Sequence, residues 1–448
     1  MDKINHQTIF YHIYPLGMLG CEKYHQYHVN HRLPQLHKII PKLQQMNVNA
    51  VYIGPIFQSM SHGYDTINYQ MIDERLGDHH DFKLLVEAFH QADIKVVVDA
   101  VFHHVGREFF AFQDLLKHRH ASKYVNWFCN VDFQQDNAFH DGFCYDTWKG
   151  AVSLVKLNLA NVDVRNYLME CIQMWIDTYQ IDGLRLDAAE CMLPSFFEYL
   201  NLHLKPRYPH FYMVGEVVFG DYQQWIYPYR LDSVTNYELY HALHHCHNIS
   251  NYHELAHTLN RQFGKVGLYH SLVLYNFVDN HDVHRIASLL KTKEKLKLIY
   301  SLLFTLPGVP SIYYGSEYGI KGRKQRYNDD KLRPMLDLSK KRNNKIRKYI
   351  IQLSTLRKQL EELQNGSYQL MLCEKEQLVF KREGKNVSYI LLNQNAEAVQ
   401  IKLDLETDVY VDVLNQKEYQ VTSPTTLLTL EGYSAMILTK KQGSVKNL

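Results

Sequence analysis

The sequence predicts an α/β chain. It is a (β/α)8 TIM barrel with a subdomain inserted after the third strand and a C-terminal all-β sandwich. Three observations carry this. Apolar runs of strand length recur eight times before residue 315, and most are followed by a segment with helical periodicity. A stretch rich in Phe, Asp, Asn and Trp interrupts that rhythm between the third run and a helix at 164–176. From about residue 364 the texture changes to short β runs separated by Asn-Gly and Glu-Gly turns.

The runs are Phe10–Tyr14, Ala50–Ile53, Lys95–Val101, Ile181–Asp187, Phe211–Glu216, Asp232–Asn236, Val273–Val278 and Pro310–Tyr314. Helices are expected at 34–46, 81–92, 164–176, 240–260, 294–305 and 340–362. The signal is clearest at 164–176, where Val164, Tyr167, Leu168, Cys171, Ile172, Trp175 and Ile176 share one face. Eight strands alternating with helices favour one barrel over several small domains. The expected organisation is a barrel at 1–104 and 156–363, the insertion at 105–155, the sandwich at 364–440 and a disordered tail at 441–448.

Bulk properties exclude several classes. A net charge of +2, with no long basic run, gives no electrostatic footprint for nucleic acid. The N-terminal segment lacks a signal-peptide pattern, and no apolar run is long enough for a membrane span. Seven unpatterned cysteines read as reduced thiols, so a cytoplasmic location is expected. The His79-His80, His118/His120 and His244-His245 groups lack the partners of zinc spacings, and they are read as ordinary histidines. Thirty-three tyrosines suit sugar rings, which offer an apolar face and many hydroxyls.

The chemistry lies in three acids. Asp187, Glu216 and Asp282 close the runs GLRLD (183–187), FYMVGE (211–216) and LYNFVDNHD (274–282). An acid at the end of a barrel strand stands at the rim where substrates bind, so three of them imply one acidic site. Arg185, two residues before Asp187 on the same strand face, is placed to keep that acid ionised. The ordinary alternative for one such acid is an ion pair or a strand-end cap.

In order along the chain stand DAVFHH (99–104), GLRLDAAE (183–190), GEVV (215–218) and FVDNHD (277–282), with HGYDT (62–66), KLN (156–158) and GVPSIYYGSE (308–317). Together they resemble the α-amylase family of retaining glycoside hydrolases, over nearly the whole chain. The resemblance implies Asp187 as nucleophile, Glu216 as general acid/base and Asp282 as a third acid that binds sugar hydroxyls. It further implies that His104 and His281 hydrogen-bond the same sugar and that Tyr64 stacks on it, while Asp65 is read as structural. Asp330 and Arg333 in DDKLRPM resemble a pair that clamps the next sugar in cyclomaltodextrinase-like members. An exposed charged turn is the alternative for that segment.

Departures from the family pattern matter too. His103 stands where many amylases carry an Asn calcium ligand, and imidazole suits a hard cation poorly. No metal and no cofactor are therefore expected. Glu190-Cys191 replaces the Lys-His of many α-amylases. KLN and SIYYGSEYGIKG lean toward the cyclomaltodextrinase, neopullulanase and maltogenic-amylase branch, without that branch's N-terminal β domain ahead of the first strand. The expected activity is retaining hydrolysis of α-1,4-glucosidic bonds in maltooligosaccharides or cyclodextrins. A transglycosylase or isomerase with the same acids is the alternative, and a catalytically dead carbohydrate binder a further one. An oligosaccharide is the expected partner, and a homo-oligomer is left open.

Overall fold

The computed structural model describes residues 4–226, 229–326, 328–340 and 344–441. Eight parallel strands form the central sheet: β1 (Phe10–Ile13), β2 (Ala50–Ile53), β3 (Lys95–Ala100), β4 (Gly183–Leu186), β5 (Tyr212–Gly215), β6 (Ser233–Val234), β7 (Tyr275–Phe277) and β8 (Val309–Tyr313). Their order is β6-β5-β4-β3-β2-β1-β8-β7. The ring closes between β6 and β7, where Asn236 N donates to Tyr275 O at 2.9 Å beside a parallel Thr235–Tyr275 bridge. Helices cover the outside and side chains fill the inside, so both strand faces are buried. That is why these strands read as unbroken apolar runs and not as alternating ones.

The helices follow the sequence periods with three corrections. The segment expected as one helix over 34–46 is a 3-10 helix, Leu33–Ile39, continued by a short α-helix, Ile40–Gln45. The segment expected as one helix over 240–260 is two, Tyr237–Asn248 and His253–Phe263. Ser250 adopts a positive φ of 52°, and Asn251 Oδ1 accepts from His253 N at 3.0 Å. The Ile249–Tyr252 linker returns Asn251 N to Cys246 O at 2.9 Å and sends Tyr252 N to Lys375 O at 2.8 Å, and the chain restarts as a new helix. The helix expected over 340–362 runs from Lys345 to Gln359, capped by Asn344 Oδ1 on Ile346 N at 2.7 Å, and a separate turn follows at Glu361–Asn365. A helix at Pro194–Leu204, outside the expected set, begins with Pro in its first turn.

After β3 the chain leaves the barrel. It forms a helix, Phe110–His118, and a small antiparallel sheet in which Ala151–Lys156 lies between His104–Gly106 and Thr147–Trp148. Lys149 and Gly150, with φ of 47° and 85°, make the tight turn of its hairpin.

The C-terminal strands are β9 (Ser367–Cys373), β10 (Gln377–Glu383), β11 (Val387–Asn393), β12 (Val399–Asp404), β13 (Asp408–Asp412), β14 (Lys417–Val421), β15 (Thr425–Leu430) and β16 (Ser434–Lys440). Six form one antiparallel sheet, β9-β10-β11-β16-β13-β14, packed on the pair β12-β15. Period-2 alternation divides the large sheet's side chains. Val379, Leu391, Met436 and Leu438 face the pair. Leu378, Phe380, Ile390, Leu392 and Ile437 join the barrel's own core. The junction is fixed by Arg357, fully buried, whose guanidinium donates to the carbonyls of His6, Phe304, Leu306, Gly308 and Leu363 at 2.6–3.3 Å. Of the expected tail, all but Lys441 lies outside the described residues.

Candidate active site

Asp187 and Glu216 stand one residue beyond β4 and β5, and Asp99 is within β3, so the barrel brings three carboxylates to one rim. Arg185 on β4 joins them. Its Nη1 lies 2.9 Å from Asp99 Oδ1 and 2.7 Å from Asp187 Oδ1, and its Nη2 lies 3.0 Å from Glu216 Oε2. Ala188 takes a left-handed φ of 49°, which turns its N–H onto Glu216 Oε2 at 3.1 Å. Such a conformation is unfavourable for a residue with a Cβ, and it persists where surrounding contacts impose it. Tyr237 donates to Glu216 Oε1 at 3.2 Å, and Tyr52 and Tyr64 donate to Asp99 Oδ2 at 2.6 and 3.0 Å.

Asp282 lies on the loop after β7 and belongs to a different group. His281 Nε2 is 2.8 Å from its Oδ2, and Arg333 Nη2 is 3.0 Å from its Oδ1. The His281 ring lies near-parallel to those of Tyr14 and Tyr64, with centroids 5.7 and 5.3 Å away and planes within 14° and 8° of parallel. The Tyr64 hydroxyl also contacts His281 Nε2. Arg333 donates to His281 O at 3.1 Å and to Tyr14 Oη at 3.2 Å, which ties the loop after β8 to the loop after β7.

A cavity of about 470 Å³ opens over both groups. Tyr64, His104, Asp187, Glu216, Asp282 and Arg333 line it. Arg185 and His281 are buried at its floor. Asp330 does not reach it. Asp330 is exposed, and its N–H is held by Asn328 Oδ1 at 2.6 Å in a local turn. Asp329 takes the expected place: it lines the cavity and approaches Arg333 Nη2 at 3.4 Å. In a run of two aspartates, the sequence does not say which one faces inward.

Sequence reasoning also missed Asp99, Tyr14, Tyr237 and the wall at Trp148-Lys149. Asp99 is legible in DAVFHH, an acid inside an apolar strand. Lys149 reaches from the hairpin turn to Glu190 Oε1 at 3.5 Å, and Glu190 Oε2 accepts from Val218 N at 2.7 Å. Glu190 thus links the inserted hairpin to the loop behind Glu216. Asp65 is engaged locally, accepting from Ser61 N and Oγ at 3.1 and 2.6 Å.

The two groups differ electrically. Burial pushes the Asp187 carboxyl well up, Arg185 opposes this, and the nearby Glu216 and Asp99 push it further. Arg185, expected to keep Asp187 ionised, divides its single charge among three acids. At Asp282 burial also pushes upward, yet His281 and Arg333 outweigh it and hold the carboxyl below the usual range. Burial takes His104 down to about 3 and His103 down to about 4. His104 therefore meets a ligand as a neutral ring. His103 packs against it with their Nδ1 atoms 3.2 Å apart.

Among the described residues, one group of three metal-capable side chains comes together: His31, Asp78 and Asp81. It lies outside the cavity, and Asp78 and Asp81 are occupied as the capping box of helix His79–Gln91. Among the described residues, no helix is long and apolar enough to cross a membrane.

Residues 35–355 match the family described as alpha amylase, catalytic domain. The chain is 32% identical over 412 residues to a cyclomaltodextrinase of Thermoanaerobacter pseudethanolicus, covering 89% of this chain and 69% of that protein. It is 30% identical over 413 residues to neopullulanase 2 of Thermoactinomyces vulgaris, with the same coverage of 89% and 69%. Among solved structures, it superposes on an acarbose-soaked debranching enzyme of Nostoc punctiforme with a TM-score of 0.80 and 27% identity, over 97% of this chain and 98% of that one.

Proposed function

The chain belongs to the α-amylase family and is a glycoside hydrolase, and on that premise we propose that it cleaves α-1,4-glucosidic bonds of maltooligosaccharides and cyclodextrins with retention of configuration. The observation that carries the reading is the fork of Arg185, one nitrogen on Asp187 and the other on Glu216. A single guanidinium spans only a short gap. This favours the carboxyl separation of about 5–5.5 Å used by retaining enzymes over the wider spacing of inverting ones.

In the first step an Asp187 carboxylate oxygen attacks the anomeric carbon. The bond from that carbon to the glycosidic oxygen breaks as Glu216 gives its proton to the departing oxygen. The second step reverses these roles: Glu216 takes a proton from water, the resulting hydroxyl attacks the anomeric carbon, and Asp187 is released. Arg185, 2.7 Å from Asp187 Oδ1, favours the attacking carboxylate form against the burial that pushes this carboxyl up. Asp282, ionised between His281 and Arg333, suits a role gripping sugar hydroxyls, with Tyr64 as the platform beneath the ring and neutral His104 as a hydrogen-bond partner. The choice of substrate draws on the cyclomaltodextrinase and neopullulanase relatives. No step requires a metal or cofactor.

The test is Asp187→Asn assayed on maltotriose with product chromatography. Turnover should fall on the order of a thousandfold or more while circular dichroism and melting stay unchanged. Wild-type turnover in a folded variant refutes the assignment.

A further inference from the structure

Below the acids is a second internal space of about 20 Å³. A cavity of roughly 10–15 Å³ or more holds one water when two to four polar groups face it. The walls here include His12, Arg185, Glu216, Tyr237, Asn280 and His281. Two of them carry buried nitrogens without a hydrogen-bond partner, Nε2 of His12 and Nδ1 of His281. The residues are only 3% and 1% exposed. Buried polar atoms in folded proteins are almost always satisfied, by protein or by ordered water. Two orphans on the wall of one polar space of this size share one solution.

The surroundings fix both rings. His12 on β1 stacks on Tyr52 at 4.2 Å and packs on Tyr313 at 4.7 Å. It meets His281 edge-on, with centroids 5.1 Å apart and planes at 90°. His281 presents Nε2 to the Asp282 carboxylate, which can only accept, so the proton belongs on Nε2 and Nδ1 is left to the inner side. Burial holds His12 neutral, with one donor and one acceptor nitrogen. Water, which both donates and accepts, suits either pairing.

We propose that this space is a binding site for one ordered water, held by His12 Nε2 and His281 Nδ1, and that His12 is a positioning residue acting through that water on His281 and so on Asp282. The role given to His12 rests on the reading of Asp282 as a sugar-gripping acid. The water site itself does not.

A wild-type crystal structure at a resolution that shows ordered solvent should have one water within about 2.7–3.2 Å of both nitrogens. His12→Phe should lower kcat on maltotriose roughly tenfold with KM changed less than about threefold, because a ring that loses its anchor misplaces the carboxylate it holds. His12→Gln, which restores a polar end, should recover most of that loss. A merely structural role would not give this split and rescue. An empty space in the wild-type map overturns the site, whether or not the variants fold. Wild-type kcat in His12→Phe overturns the positioning role. The underlying reading fails separately, by Asp187→Asn keeping its turnover.

Discussion

Replacing Glu317 by Gln exposes what a buried acid does to stability as pH changes. Glu317 follows β8 and is 2% exposed. Its Oε1 accepts from Tyr11 Oη at 2.8 Å, and its Oε2 has no partner. Burial raises the carboxyl from its ordinary 4.5 to about 7. Between those values the folded chain keeps a proton that the unfolded chain has released. The contribution to stability is therefore fully present below pH 4.5 and is lost as pH rises through about 7. At about 1.4 kcal/mol per pH unit this interval gives about 3 kcal/mol. The Gln variant carries a constant offset from its own unsatisfied amide but has no such slope. Urea unfolding at pH 4.5 and pH 8 (about the two ends of the titration), followed by fluorescence and circular dichroism, reads the difference. Barrel and sandwich share one apolar core, so both probes should report one transition. The expected result is that Glu317→Gln gains about 3 kcal/mol over the wild type between the two pH values. Parallel pH curves, with the gap constant within about 1 kcal/mol, would mean that Glu317 is ionised in the native state near neutral pH, and would refute the reasoning.

Two further outcomes follow from particular contacts. Asp329→Asn should raise KM for maltotriose about tenfold through the loss of charge facing Arg333, while Asp330→Asn should leave kcat and KM within about twofold of wild type, as expected for an exposed turn residue. Steady-state kinetics on the pair decides it, and the reverse ranking would restore Asp330 to the site. Arg357→Met removes a donor from five carbonyls at the junction of barrel and sandwich, of which Leu363 O keeps Arg382 Nη1 at 3.0 Å. It should cost about 3–5 kcal/mol and lower the melting temperature by about 5 °C or more, with maltotriose kinetics preserved at 25 °C (well below the transition). A melting temperature within a degree of wild type would show the arginine to be dispensable.

What the sequence disclosed follows from how strictly each feature is determined. Barrel strands buried on both faces have one composition available, so runs such as Val96–Val98 were unmistakable. Asp187 and Glu216 were legible because a strand fixes where its next residue goes. The Lys345 helix start and the break at Ser250 depend on single capping contacts, which periodicity does not register. Asp329 against Asp330 depends on the rotation of one loop residue, set by Asn328. Asp99 was written in DAVFHH, but its role arises only when Arg185 arrives from a neighbouring strand. Lys149 is harder still: its reach to Glu190 needs the hairpin turn, two barrel loops and a long side chain to agree.

The same geometry divides the cleft electrically, and the division has a chemical consequence. At one end a single cation, Arg185, meets three carboxylates; at the other Asp282 meets both His281 and Arg333, and Asp329 shares that arginine. Protons accumulate where negative charge exceeds positive and avoid the opposite case. At the end holding Asp187 and Glu216, burial and the neighbouring acids push the Asp187 carboxyl up against the pull of Arg185. Asp282, held below the usual carboxylate range by His281 and Arg333, is kept acceptor-only. On the proposed reading, exchanging the two environments would keep every residue type and set a protonated acid before the sugar hydroxyls. The barrel imposes the division by drawing Arg185 from a strand, inside the acid cluster, and Arg333 from a loop, at its edge.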